Sequence, residues 1–108
     1  MKTETLKTNT KTNSQNMKQS SQYVAQVLKT LAHPERLLIL CYLTEKERSV
    51  NELVELCEIS QSAVSQFLMR MKTEGLVSSA RDGNFVRYQI KDTRIKKVLD
   101  TLYKNYCN

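Results

Sequence analysis

The stretch from position 49 to position 90 constrains the fold of this chain more than any other part of it. Its first segment, SVNELVELCEISQSAVSQFLMRMKTEGLV, predicts a short helix, a tight turn and a second helix. The next segment, SSARDGNFVRYQI, predicts a β-hairpin that turns at Asp82-Gly83-Asn84. Two helices joined by a turn of about three to four residues fit the major groove of DNA, and a basic hairpin beside them would act as a wing.

Capping residues set the boundaries of these two helices. Ser49 and Glu52 have the spacing of a capping box at the start of the first helix. Ser60 is the predicted N-cap of the second helix, which runs over residues 61–74. Gly75 follows it, at the position where a left-handed residue commonly ends a helix.

Further helices on both sides complete the predicted fold. The first starts near Ser20 or Ser21 and ends at Leu31. The next begins at Pro34 and is apolar around most of its circumference, which predicts a central core helix. The last covers residues 92–106 and has an apolar stripe at helical spacing. The order ααααββα predicts a mostly α fold with a β-hairpin, a winged helix-turn-helix.

The composition favours a polyanionic partner for a small domain. The chain has 108 residues, a formal net charge of +6 and a pI near 9.3. Residues 1–18 are almost all polar and predict a disordered tail, which leaves residues 19–108 as one domain. No membrane span or secretory signal is visible, so we expect a cytoplasmic protein with reduced cysteines. One histidine and two glycines provide no catalytic pair and no phosphate loop, which argues against an enzyme.

The second helix of the predicted helix-turn-helix, over residues 61–74, has a polar face suited to reading bases. Its glutamines can bond adenine bidentately, and its serines can serve several bases. Arginines on a protruding hairpin suit phosphate or minor-groove contact. Charges on an edge strand also prevent sheets from pairing with each other, and that alternative stays open. The predicted DNA contacts are Ser60, Gln61, Ser62, Ser65, Gln66, Arg81, Asn84 and Arg87.

At this point the chain resembles a known family. The runs LKTLAHPERLLILCYL, ELCEISQSAVSQFLMRMKTEGLV and RDGNFVRYQI are similar to the ArsR/SmtB group of bacterial winged-helix repressors, over residues 20–108. The resemblance implies a homodimer that pairs through its first and last helices. It also implies binding to double-stranded operator DNA until an inducer lowers the affinity.

The residues at the metal sites of that family do not suit a metal in this chain. One site would fall on Ser49 and Asn51, where metal-sensing relatives place cysteines, and soft metals require thiolates. The second site would fall on Asp92, Arg94, Asn105 and Asn108, and of these only Asp92 could bind a metal. We therefore predict no metal and no cofactor. His33 precedes a proline and is interpreted as a helix cap.

The cysteines narrow the resemblance to the thiol-based persulfide sensors, the SqrR/BigR subgroup. Those proteins have one cysteine in the second helix and one at the end of the last, as Cys41 and Cys107 stand here. The resemblance implies that these two thiols are joined by persulfide or another reactive sulfur species, as a disulfide or a polysulfide, and that the operator is then released. Cys57 is interpreted as core filler.

Alternatives remain open from the residues alone. Cys41 also suits a small core hydrophobe, whereas Cys107 lies too close to the chain end to contribute much to a core. A general oxidant sensor could use the same pair, and a repressor of this type could lack a thiol switch. A winged-helix module for protein partners is a further alternative, and its binding would be insensitive to salt, unlike DNA binding.

Overall fold

The computed structural model describes residues 10–107, and the side chains from residue 14 onward. The chain forms two compact units: the first ends at Ala32 and the second begins at His33. Within residues 10–107, no helix combines the length and the apolarity needed to cross a bilayer.

The first unit is a long helix, α1 (Thr10–Leu31). It begins well before the predicted start at Ser20 or Ser21, so that boundary prediction was wrong, and residues 10–18 of the predicted tail are helical. Ser21 does not cap a helix, because its Oγ donates to the carbonyl of Lys18 at 3.0 Å, one turn earlier. In a helix that is already nucleated each further residue adds a backbone hydrogen bond, so burial of apolar surface is not the only factor that decides where α1 begins. Residues 1–9 of the predicted tail lie outside the described residues.

The second unit is the predicted winged helix-turn-helix with an added short strand. Its helices are α2 (Pro34–Glu45), α3 (Val50–Cys57), α4 (Gln61–Thr73) and α5 (Thr93–Tyr106). Its strands are β1 (Arg48–Ser49), β2 (Val77–Asp82) and β3 (Phe85–Ile90). They form an antiparallel sheet in the order β1-β3-β2. The predicted fold class is confirmed, and β1 is the element that the sequence reasoning missed.

The predicted caps are present in this unit. The Nδ1 atom of His33 accepts the backbone N–H of Glu35 at 3.2 Å, so the histidine caps α2. Ser49 and Glu52 form the capping box of α3, with hydrogen bonds of 2.8 and 3.2 Å in the two directions. Ser60 accepts a backbone N–H of α4 at 3.2 Å. These bonds satisfy donors that the helix starts would otherwise leave unpaired.

Positive φ angles mark the turns of the second unit. Gly75 has a φ of 81° just after α4, as predicted. Gly83 has a φ of 63° and begins the two-residue turn between the paired residues Asp82 and Phe85, the pattern of a II′ turn. Glu58, with a φ of 56°, is the left-handed C-cap of α3 and begins the short turn to α4.

The core of the second unit is built around α2. This helix contacts α3, α5 and β3, and Ile39, Leu40 and Leu43 are its buried residues. Burying an aliphatic side chain of this size stabilises a fold by about 1.5–3 kcal/mol. Because α3 and α5 both pack on α2, the helix-turn-helix and the last helix share one support. The other fully buried side chains of this unit are Leu53, Val64, Leu68, Met71, Leu76, Val77 and Leu99.

Candidate DNA interface and thiol pocket

The predicted base-reading residues share the exposed side of α4. Gln61, Ser62 and Gln66 are exposed, whereas Ser65 is half-buried. Ser60 is exposed at the N-terminus of the helix, where its hydroxyl caps the first turn. The other side of α4 is buried, which fixes the polar side outward. This side presents amide and hydroxyl groups next to the N-terminus of a helix, a combination that suits base edges and phosphate.

The hairpin residues of the predicted interface separate into two environments. Arg81 and Asn84 are exposed at its end. Arg87 is half-buried instead, and its guanidinium is 3.3 Å from Glu52 Oε1 and 3.4 Å from Asp82 Oδ2. The three predicted wing contacts therefore differ in how freely their side chains can meet a phosphate.

The positions of the family metal sites are engaged in other interactions. Ser49 belongs to the capping box of α3. Asp92 caps α5, and its carboxylate accepts two hydrogen bonds from the guanidinium of Arg94, at 3.1 and 3.0 Å. Asn108 lies outside the described residues. Among residues 10–107, no group of three or more His, Cys, Asp or Glu side chains is placed to hold a metal ion.

Cys41 and Cys107 lie at one pocket. Cys41 is half-buried on α2, and Cys107 is exposed at the C-cap of α5. The pocket has a volume of about 510 Å³, which is enough for a small reactant. Its other lining residues are Leu38, Tyr42, Thr44, Glu45, Leu99, Asp100 and Tyr103.

The electrostatics of the pocket distinguish the two thiols. Burial raises the pKa of the Cys41 thiol, and the negative charges of Cys107 and Glu45 raise it further. Cys107 is therefore near enough to Cys41 for its charge to act on the Cys41 thiol. The Glu45 carboxylate is itself paired with Arg48 at 2.6 Å. Cys41 is accordingly held as a neutral thiol near neutral pH, and Cys107 is the thiol that solvent reaches.

Cys57 differs from these two cysteines. It is buried at the end of α3 with 7% of its surface exposed, and it does not line the pocket. Burial raises the pKa of its thiol, which Arg48 partly offsets. Its position agrees with the interpretation of Cys57 as core filler.

The sequence reasoning missed the other walls of the pocket, although a signal for them exists. On α2, the lining residues Leu38, Thr44 and Glu45 lie three or four positions from Cys41, on the same side of the helix. On α5, Leu99 and Tyr103 precede Cys107 at steps of four residues. Extending the helical periodicity from each cysteine would have found these neighbours.

The first and last helices of the described chain, α1 and α5, each expose large apolar side chains. On α5, Tyr106 is 82% exposed and Tyr103 is 58% exposed, and Val98 and Leu102 are also on the surface. On α1, the exposed apolar residues are Met17, Tyr23, Val24 and Leu28. Runs of apolar surface on successive helical turns are typical of a contact with another protein surface.

Comparisons with known proteins agree with the fold. A family model described as bacterial regulatory protein, arsR family, matches residues 33–79. The HTH-type transcriptional regulator YgaV of Escherichia coli K12 is 42% identical over 89 residues, which are 82% of this chain and 90% of that protein. The transcriptional activator HlyU of Vibrio cholerae is 38% identical over 95 residues, 88% of each protein.

Solved structures give the same result. Reduced HlyU from Vibrio cholerae superposes with a TM-score of 0.82 and 37% identity, over 87% of this chain and 99% of that one. The transcriptional repressor BigR from Xylella fastidiosa superposes with a TM-score of 0.80 and 33% identity, over 88% of this chain and 97% of that one. These relatives are named as regulators of transcription and not as enzymes. The chain therefore belongs to the arsR family of bacterial regulatory proteins, as a DNA-binding regulator of transcription.

Proposed function

We propose that this protein is a homodimeric repressor whose affinity for its operator is controlled by the oxidation of Cys41 and Cys107. The pocket that both cysteines line is the observation that carries the proposal. A helix–helix pocket with a thiol from each helix is a place where a covalent bond would tie α2 to α5. The proposed inducer is a persulfide or another reactive sulfur species in the cytoplasm.

The accessible thiol would react first. Cys107 is exposed, whereas the raised pKa of Cys41 leaves little of it as thiolate. The Cys107 thiolate attacks the sulfane sulfur of a persulfide RSSH, which forms Cys107–SSH and releases RS⁻. The thiolate of Cys41 then attacks the Cys107 sulfur, which closes a disulfide and releases HS⁻. Two thiols are oxidised by two electrons, and the transferred sulfur is reduced to sulfide.

DNA would be bound by the exposed side of α4 and by the wing. We propose Ser60, Gln61, Ser62, Ser65 and Gln66 as contacts from the helix, with Arg81 and Asn84 as contacts from the wing. The exposed amides and hydroxyls of α4 support this assignment. A two-fold dimer would place its two α4 helices on half-sites about 34–36 Å apart, or a multiple of that distance.

The exposed apolar residues of α1 and α5 support a homodimer that pairs through these helices. Helix α4 packs on α3, and α3 packs on α2. A bridge between α2 and α5 would then change the position of α4 relative to the dimer contact. A coupling of about 1–3 kcal/mol between oxidation and DNA binding lowers operator affinity by about 5–150-fold.

The test is mass spectrometry of the whole protein after separate treatment with glutathione persulfide, hydrogen peroxide and diamide. We expect a bridged peptide pair that contains Cys41 and Cys107 without added sulfur, and one added sulfur atom at Cys107 when Cys41→Ser, which cannot close the bridge, is treated with persulfide. Binding to a duplex selected in vitro from a random pool is measured in parallel. Cys41→Ser and Cys107→Ser should keep their DNA affinity after treatment, and the matched variant Cys57→Ser should lose it as the unaltered protein does.

Three results would contradict the proposal. Free thiols at both positions after all treatments would remove the switch and leave a repressor without one. A loss of DNA binding that persists in Cys41→Ser and Cys107→Ser would assign the response to other groups. A bridge formed by peroxide but not by persulfide would identify a general oxidant sensor instead.

A further inference from the structure

Arg87 on β3 is surrounded by carboxylates from three parts of the chain. Its Nη1 lies 3.3 Å from Glu52 Oε1 on α3, and its Nε lies 3.4 Å from Asp82 Oδ2 on β2. The same Nε is 4.0 Å from Glu47 Oε1, just before β1. Only 31% of the Arg87 side chain is exposed. A phosphate that approached this guanidinium would therefore meet carboxylates that already neutralise its charge.

Glu52 connects Arg87 to the start of the helix-turn-helix. Its Oε1 accepts the backbone N–H of Ser49 at 2.8 Å, the return bond of the capping box, while it also pairs with Arg87. The Ser49 N–H, with help from the Arg87 charge, lowers the pKa of Glu52. Ser49 is in addition the direct β1 partner of Arg87 on β3. One carboxylate therefore joins the cap of α3 to the wing, beside a backbone pairing of the same two segments.

Arg81 lies on the opposite face of the hairpin. Residues directly opposite each other on paired strands share a face, and alternate residues of a strand change face. Arg81 pairs with Val86, whereas Arg87 pairs with Ala80. The Arg81 face also holds Ser79, whose hydroxyl accepts from Lys72 Nζ of α4 at 2.7 Å. The two arginines therefore point to different sides of the wing, one toward the carboxylates and one away from them.

We propose that Arg87 is a positioning residue, which fixes the wing relative to α3 through Glu52, and that Arg81 makes the phosphate contact of the wing. The proposal rests on DNA binding by α4 and the wing and is independent of the thiol switch. It changes the role first predicted for Arg87 from direct contact to support.

The direction in which Glu52→Gln changes DNA affinity distinguishes a supporting role of Arg87 from a phosphate contact. Glu52→Gln keeps an amide oxygen that can accept the Ser49 N–H, so the capping box survives, but it removes the ion pair with Arg87. If Arg87 supports the wing, releasing it should weaken specific binding. If Arg87 contacts phosphate, removing its competing carboxylate should strengthen binding.

The experiment measures affinity against salt for the reduced protein, with an in vitro selected duplex and a scrambled duplex as probes. Arg81→Gln should flatten the slope of log K against log salt by about 0.9, and it should weaken binding to both duplexes by the same factor. Arg87→Gln should leave the slope unchanged and lower the ratio of selected to scrambled affinity by about twofold to fivefold. Glu52→Gln should lower this ratio by the same factor. The double variant Glu52→Gln/Arg87→Gln should lower it no further, because both substitutions remove the same ion pair.

The variants are compared by their DNA affinities extrapolated to 1 M salt, because salt at that concentration screens the long-range effect of the altered charges. The proposal is overturned if Arg87→Gln flattens the slope as Arg81→Gln does, or if Glu52→Gln raises the affinity for the selected duplex. Thermal unfolding of each variant establishes that it is folded, and Glu52→Gln still provides the test if Arg87→Gln is unstable.

Discussion

A disulfide between Cys41 and Cys107 should raise the thermal stability of the protein while it lowers DNA affinity. Cross-linking removes conformations from the unfolded chain, by about 3 kcal/mol for a loop of ~15 residues and about 4.7 kcal/mol for one of ~100. The loop between positions 41 and 107 is near the upper end of this range, at about 4 kcal/mol. A domain of this size gains about 4–8 °C in Tm per kcal/mol, so we expect a rise of about 15–30 °C.

The assay is a thermal unfolding scan of the protein oxidised with diamide, which forms a disulfide without adding sulfur, against the reduced protein at equal concentration. Equal concentration is needed because the proposed dimerisation would also contribute to Tm. Cys107→Ser should show no rise, and Cys57→Ser should show the full rise. Any shortfall from about 4 kcal/mol measures the strain that closure introduces into the folded state.

A Tm that stays constant or falls, in a sample where mass spectrometry shows the bridge within one chain, would refute this reasoning. It would mean that closure strains the fold as much as it restricts the unfolded chain. A bridge found between chains would refute it in another way, because the closed loop would then not exist in a single chain.

Burial raises the pKa of Cys41 above the ordinary thiol pKa of 9.0, so the fraction of attacking thiolate should keep rising up to that pH. The rate of bridge closure after persulfide treatment, measured by stopped-flow kinetics, should therefore rise about tenfold per pH unit with no plateau below pH 9.0. A plateau near neutral pH would contradict the order of attack. Ser49→Ala should lower the free energy of unfolding by about 0.5–2 kcal/mol in urea denaturation, since it removes the cap of α3, whereas Ser21→Ala should change it by less than about 0.5 kcal/mol. Leu102→Glu should dissociate the proposed dimer in sedimentation measurements, whereas Leu56→Glu, at an equal 38% exposure, should not. Equal effects of the two substitutions would contradict a dimer contact on α5.

Local signals predicted most of the second unit. The capping residues Ser49 and Ser60 mark helix starts because each side-chain oxygen bonds to a backbone N–H within a few residues. Gly75 and Gly83 mark turns because their positive φ angles are local requirements too. Such features depend on neighbours in sequence and therefore need no knowledge of the tertiary fold.

The features that escaped prediction depend on distant partners. Strand β1 has only two residues, Arg48 and Ser49, and exists because β3 pairs with it. The environment of Arg87 comes from Glu47 and Glu52, about a third of the chain away, so composition alone made it look like a free wing cation. The placement of Cys41 and Cys107 at one pocket likewise depends on how α5 packs on α2, and the sequence indicated it only through a family resemblance.

The turn between α3 and α4 affects the unfolded chain as well as the folded one. A left-handed conformation at a residue with a side chain costs about 1 kcal/mol or more, and glycine at Glu58 would avoid this cost. Glycine would also give the unfolded chain more freedom, which costs about 0.5–1 kcal/mol on folding. The two effects nearly cancel, so a glutamate at this position adds little net instability. It restricts the backbone in the turn between α3 and α4, so the angle of α4 depends on the conformation of this residue as well as on the packing of α4 against α3 and β2.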